Sequence, residues 1–384
     1  MTARTKVAGL SLIEMMIALV IGLILLLGVI QIFSASRSAF QLSEGASRAQ
    51  ENARFALDFL AHDIRMAGHF GCINDQAHFV KGEGDPKVNL STSTGSGSPL
   101  DFSVSIQGYE AAGTAPGSQL TIGGTWGAVT GLPAEIQALS PAPRPGSDII
   151  VLRYLSAEGA PVTALAVTGG NSVVSVEAGR WSRLTSNGVA TPTLFGVADC
   201  SHADVFAGTS TNSSVTAAVD LSRYTAQPTG QTMLYRAESL VYYIGNGTSG
   251  EPSLRRARAG SDGAYTQNEE LVEGIESLQI LYGLDSTADI SRLSPPIGNI
   301  TSQSIASAVT TGADAAAANQ WRRVGQVQVG VLARSPLPAN APSTVEKSRL
   351  GVLGVTVVQP ANSDNRYRAS YELTIALRNR LFGN

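Results

Sequence analysis

The sequence predicts an α+β protein in which one very long N-terminal helix is followed by a β-rich body. Three observations carry that expectation. An apolar run from Leu10 to Phe33 continues without a break into a helical repeat of small residues, and the first proline in the chain is Pro86. From Gly71 onward the apolar pattern changes from helical to alternating, as strands require. Forty glycines and seventeen prolines among 384 residues supply the turns of a β-rich body.

The helix begins behind a short basic leader, residues 1–9, which carries Arg4 and Lys6 and no acid. An ordinary secretory signal places its small-residue cleavage site after the apolar stretch. Here the small residue, Gly9, precedes it, so cleavage at Gly9 would leave the apolar segment on the mature chain. As a helix, residues 10–33 would rise about 36 Å at ~1.5 Å per residue, enough for a hydrocarbon core of about 30 Å. The basic leader keeps the start of the chain in the cytoplasm and sends the part beyond Phe33 across the membrane. Glu14 is the one acid inside the apolar run, and an intramembrane carboxylate costs roughly 2.5–3.5 kcal/mol on insertion scales, so it requires a reason. A plain signal anchor with Glu14 reaching up to the interface is the simplest alternative.

Residues 34–67 form the second, amphipathic half. Ala46, Ala49, Ala53, Ala56, Leu60 and Ile64 recur at spacings of three or four, while Glu44, Arg48, Glu51, Arg54 and Asp58 occupy the polar positions. The whole helix would extend about 85 Å. Gly22 and Gly28 mark either its soft points or close helix packing in the membrane.

Residues 71–384 read as the β-rich body. Alternation is cleanest at Tyr367, Ala369, Tyr371, Leu373, Ile375 and Leu377. Further strands are expected over 148–154, 162–167, 173–177, 233–244, 278–282 and 326–333. The segments 91–99, 208–216 and 286–319 read as polar loops or insertions.

A net charge of −3 and a pI near 5.9 disfavour a protein that coats nucleic acid, so nucleic acid is not expected as a main partner. Arg255, Arg256 and Arg258 form the densest basic cluster and read as a solvated strand edge, and Glu269 with Glu270 reads as a solvated turn. The two cysteines, Cys72 and Cys200, both fall in the exported part, where a disulfide is favoured over two buried thiols. Catalysis has little support, because H-E-x-x-H, G-x-S-x-G and a phosphate-binding loop are all absent. Of the four histidines, His62, His69 and His78 lie near the helix end and His202 lies far from it. His62, His69 and Asp63 do not have diagnostic metal spacing, and no EF-hand pattern surrounds Asp285 and Asp289. No cofactor or metal is expected.

The leader, Gly9, Leu10 and Glu14 together resemble a type IV prepilin. That resemblance implies a prepilin peptidase cut between Gly9 and Leu10, N-methylation of Leu10, and a Glu14 carboxylate that pairs with the amino terminus of a neighbouring subunit. Phenylalanine is the commoner first mature residue in that family, and Leu10 departs from it. The segments 55–72, 199–201, 271–283 and 374–380 are similar to the PilW family of minor pilins, whose β-rich, pilin-like domain packs on the long helix. The implied function is initiation of the pilus from a place at or near its tip, in support of twitching motility and adhesion. Implied partners are other minor pilins, the major pilin, a large tip adhesin, the prepilin peptidase and the inner-membrane assembly machinery. The implied location is the bacterial inner membrane with a periplasmic C-terminal domain, then the pilus at the cell surface. A minor pseudopilin of a type II secretion system and a membrane-anchored exported enzyme or binding domain are the alternatives.

Overall fold

The computed structural model describes residues 11–74, 86–291, 293–339, 350–360 and 364–380. Helix α1 (Leu12–Met66) runs 55 residues unbroken, about 82 Å at ~1.5 Å per residue. The expected helix is therefore present as one element.

Strands β1 (His69–Phe70), β2 (Ile73–Asn74), β3 (Pro86–Asn89), β4 (Ile106–Tyr109) and β5 (Gln119–Thr121) come after it. Next are the short helix α2 (Ala134–Gln137), β6 (Ile149–Leu155), β7 (Ala160–Thr168), β8 (Asn171–Val176), β9 (Leu194–Ala198), β10 (Ala203–Ala207), β11 (Thr209–Ser210) and β12 (Ser214–Ala217). The last third holds β13 (Met233–Asn246), β14 (Pro252–Ala259), β15 (Tyr265–Glu273), β16 (Ile275–Asp285), β17 (Ile300–Ser304), α3 (Ala306–Val309), α4 (Ala315–Arg322), β18 (Val324–Arg334), β19 (Leu350–Val352), β20 (Val355–Val358) and β21 (Arg368–Ala376).

The long strand β13 organises the body because its two ends take different neighbours. Its first residues pair with β7 and β9, and its later residues pair with β6 and β14. One wing continues through β8, β12 and β11 and through β10 to a parallel β3, and the other continues through β14 to β15 and through β6 to β4. A separate antiparallel sheet has the order β17-β16-β18-β21, and a third, small sheet joins β19, β20 and β5.

The second half of α1 lies on β18 and β21 and touches β6, β15 and β16. Ala49, Ala53, Ala56, Leu60 and Ile64 are fully buried there, the stripe that the helical spacing predicts. Ala46 is only half-buried, while Gly45 is buried in its place. A Cβ on Gly45 would stand 2.7 Å from Ala339 Cβ, so only glycine lets the helix approach this closely. Opposite the stripe, Ile275, Leu278, Ile280, Val327, Val329, Val331 and Ile375 complete the largest core.

Two expected loops are structured. Residues 208–216 contain β11 and most of β12, which extend the wing beyond β8, because Val215 and Ala217 are buried on alternate positions of a short strand. Residues 286–319 contain β17, α3 and the start of α4, whose Ala306, Val309, Ala317 and Ala318 reach the core. Residues 91–99 hold neither helix nor strand, as expected.

Candidate functional site

The first half of α1 is bare. From Leu12 to Phe33 the large apolar side chains are all exposed, Leu12 by 80% and Phe33 by 69%, and the segment is long and apolar enough to cross a membrane. A Cβ on Gly22 or Gly28 would meet nothing within 4 Å. Glu14 sits in the first turn, and its carboxylate accepts the Ser11 backbone N–H at 3.2 Å. An acid at this point also complements the positive end of the helix dipole. Gly9 and Leu10 lie outside the described residues, as does His78.

The second half is fixed at its far end by a polar knot inside the core. Asp63 is 5% exposed. Its carboxylate accepts from the Tyr154 hydroxyl at 2.8 Å, from the Tyr242 hydroxyl, and from Arg256 at 3.0 Å. Arg256 also donates to Glu269 at 2.7 and 2.9 Å. Burial, then the Asp63 charge, pushes both tyrosine hydroxyls well above their ordinary range, so they remain donors. For Arg256, burial pulls downward, but Tyr242, Asp63 and Glu269 outweigh it and hold the guanidinium above its ordinary value.

Backbone ties reinforce the knot. Asn52 donates to the Glu273 carbonyl at 3.0 Å, and the Asn379 amide reaches the carbonyls of Arg65 and Ala67 at 3.1 and 3.3 Å. The latter two are among the carbonyls that a helix end leaves without an internal partner. A disulfide joins Cys72 to Cys200 across 128 residues, so the chain leaving the helix is bonded to the turn between β9 and β10.

The arginine cluster corrects a sequence expectation. Arg255, Arg256 and Arg258 do not lie on a solvated edge, because β14 is covered on both sides by β13 and β15. Arg258 is 9% exposed and meets Glu238 at 2.6 Å, and Glu238 also accepts from Arg236 at 2.6 Å. Glu269 and Glu270 are likewise strand residues of β15 rather than a turn; Glu269 faces Arg256, and Glu270 accepts from Ser253 at 2.7 Å and from the Thr248 N–H at 2.8 Å. A second network ties β16, β18 and β21 together through Glu276, Arg334 and Arg368, with Glu276 and Arg368 2.6 Å apart. These paired charges are the arrangement in which burial of ions is tolerated.

Sequence reasoning missed the role of Asp63. The signal was available, since Asp63 falls three residues after Leu60 and seven after Ala56, inside the buried register of an otherwise apolar face. Arg153 was also missed; it is fully buried and donates to the carbonyls of Ser98, Pro99 and Val104, which fixes the 98–104 segment.

Among the described residues no group of three His, Cys, Asp or Glu side chains is placed to hold a metal. His69 stands edge-on to Tyr235, with burial lowering its pKa, and His62 points away from the core. Asp285 instead organises its own loop, accepting the N–H groups of Thr287, Ile297 and Gly298. The geometry is one of anchoring and presentation: a rigid body holds one half of a helix and offers the other half bare.

Two family models match the chain. Residues 241–379 match Type IV Pilus-assembly protein W, and residues 4–30 match the prokaryotic N-terminal methylation motif. No curated protein and no solved structure matches. The first match runs from within β13 past β21 and includes Arg256, Glu276 and Asn379; the second includes Gly9, Leu10 and Glu14. Pilin-family regions point to a structural rather than an enzymatic protein, and the apolar helix with its methylation motif fits a membrane-anchored pilin. A bare apolar half-helix behind a methylation motif is thus joined to a β-rich body whose residues 241–379 are similar to the PilW family of type IV pilus-assembly proteins.

Proposed function

We propose that this chain helps initiate a type IV pilus and sits at or near its tip, in support of twitching motility and adhesion. The observation that carries the reading is the division of α1, whose Leu12–Phe33 half has no partner among the described residues while its Gly45–Ile64 half is built into the body. Apolar surface of that extent calls for lipid first and for other helices afterwards.

In this reading residues 1–9 are the leader, residues 10–33 the transmembrane half, residues 34–67 the amphipathic half and residues 71–384 the exported β-rich domain. The peptidase cuts between Gly9 and Leu10, Leu10 is methylated, and Glu14 meets the Leu10 amine of a neighbouring subunit. Until the leader is removed no free amine exists at Leu10 for a neighbour's Glu14 to pair with, so processing licenses entry into the filament. Before assembly the chain rests in the inner membrane with its body in the periplasm. Its partners are other minor pilins, the major pilin, a large tip adhesin and the assembly machinery. The match over residues 241–379 supports the pilus over a secretion pseudopilus.

Mass spectrometry of the chain from membranes and from sheared pili, with and without the prepilin peptidase, tests the reading. A chain that starts at a methylated Leu10 and is present in sheared pili is the expected result. A chain that retains residues 1–9 in a peptidase-positive cell would sink it.

A further inference from the structure

A cavity of about 260 Å³ opens along the outer edge of β4. That edge is free because, among the described residues, β4 pairs only with β6; residues 130–133 and 306–313 wall it in place of another strand. On the inner side β4 is tightly seated, since a Cβ on Gly108 would run into the Tyr282 hydroxyl.

Gln107, Tyr109 and Glu110 line the cavity from the strand, with Trp321 behind them. Gln107 is only 6% exposed, yet its Oε1 has no hydrogen-bond partner among the described residues, and neither has the buried Tyr109 hydroxyl. The Tyr109 hydroxyl and the Gln107 amide nitrogen lie side by side next to Gly97, where an added Cβ would stand 3.0 and 3.3 Å from them. An amide oxygen and a phenol sequestered without partners are costly unless something supplies the missing bonds. Burial pushes the Tyr109 hydroxyl upward, so it stays a donor, and burial likewise raises the Glu110 carboxyl. Glu110 already accepts from Thr114 at 3.0 Å.

The lining selects the ligand's chemistry. Among the described residues no lysine, arginine or histidine faces the cavity, so an anion would find no counter-charge beside Glu110. A single carboxylate is too few for a divalent cation, which takes about six to eight oxygens, commonly several of them carboxylate. What remains is an amide, a phenol, an acid, the hydroxyls of Ser307 and Thr310, and aromatic surface. The volume lies just below the ~300–1,000 Å³ of pockets for drug-sized molecules, which scales it to one ring. We infer that this cavity is a carbohydrate subsite that takes a single neutral hexose or N-acetylhexosamine ring, hydrogen-bonded by Gln107, Tyr109 and Glu110.

The test uses the purified full chain in a detergent without a sugar head group, so its outcome does not depend on incorporation into a filament. Saturation-transfer NMR and calorimetry are run with glucose, galactose, N-acetylglucosamine, glucuronate and lysine methyl ester. Saturable binding of at least one neutral sugar, with Kd on the order of 1 mM, is expected, and neither glucuronate nor the amine should compete. Gln107→Leu should weaken that binding about tenfold, the equivalent of one hydrogen bond. Ala313, exposed at the mouth, offers a second variant outside the core, and Ala313→Trp should abolish binding even if Gln107→Leu fails to fold. Absence of saturable binding to every neutral sugar, binding that survives Ala313→Trp, or preference for the amine would each overturn the inference.

Discussion

The two halves of α1 share one uninterrupted backbone and have opposite surroundings. From Leu12 to Phe33 apolar residues face every direction and touch nothing among the described residues. From Gly45 to Ile64 the buried ones form one stripe of mostly small residues that is fully covered, and Phe55 and Phe59 stay exposed off it. The difference shows that helical propensity does not decide where a helix goes; the angular width of its apolar surface does. A narrow stripe matches one sheet, whereas an apolar cylinder needs neighbours on all sides, which only lipid or a bundle of other helices provides.

The sharpest way to break the comparison is to loosen the docked half while leaving the bare half untouched. Cys200→Ser removes a bond closing 128 residues and should cost about 4–5 kcal/mol on the loop-entropy model, read from denaturant unfolding of the β-rich body under non-reducing conditions. Asp63→Ala leaves two tyrosine hydroxyls without their acceptor in the core and Arg256 with Glu269 as its remaining acid, for an expected loss of about 3–5 kcal/mol by the same measurement. An unchanged midpoint for this variant would mean that the apolar stripe alone fixes the helix.

A smaller effect comes from pH. Tyr154 and Tyr242 have hydroxyls raised above the ordinary value of 10.0, so the folded body holds their protons more tightly than the unfolded chain does. Their contribution is fully present below pH 10 and is lost as the pH climbs from there toward the folded pKa. Melting curves between neutral and strongly alkaline pH should fall less steeply for Tyr154→Phe than for the parent chain. The least effect on stability belongs to the bare half: Glu14→Ala should shift unfolding of the body by less than ~0.5 kcal/mol. The same variant should be depleted from sheared pili on immunoblots, and normal incorporation would remove Glu14 from the assembly mechanism proposed above.

Much of this architecture was legible in the sequence, because it rests on local periodicity. Residues 10–67 read as one helix, and β6, β7, β8, β13, β16, β18 and β21 each carry a run or alternation long enough to be seen without partners. The short strands β9 to β12 and β17 were not visible, since two to five residues give too little pattern and depend on the sheet they extend. The arginines of β14 misled for a different reason. A local window reads clustered charge as exposure, but Arg256 meets Asp63 from 193 residues away, and that pairing has no local trace. Glu14 stood out because it interrupts an apolar run; Asp63 did not, because its neighbours are mixed.

The tie from Asn379 to the end of α1 has a consequence for the order in which the fold can be completed. In the sheet that seats the helix, α1 lies on β18 and β21, and β21 is the last of that sheet's strands in the chain. With the body exported as proposed above, the alanine stripe emerges long before its seat is complete. The stripe must wait, uncovered, while more than 300 residues pass, and small side chains make that wait tolerable by offering little surface to a wrong partner. The seat is thus complete only once β21 is in place, and a chain interrupted before β21 would carry a helix with only part of its dock.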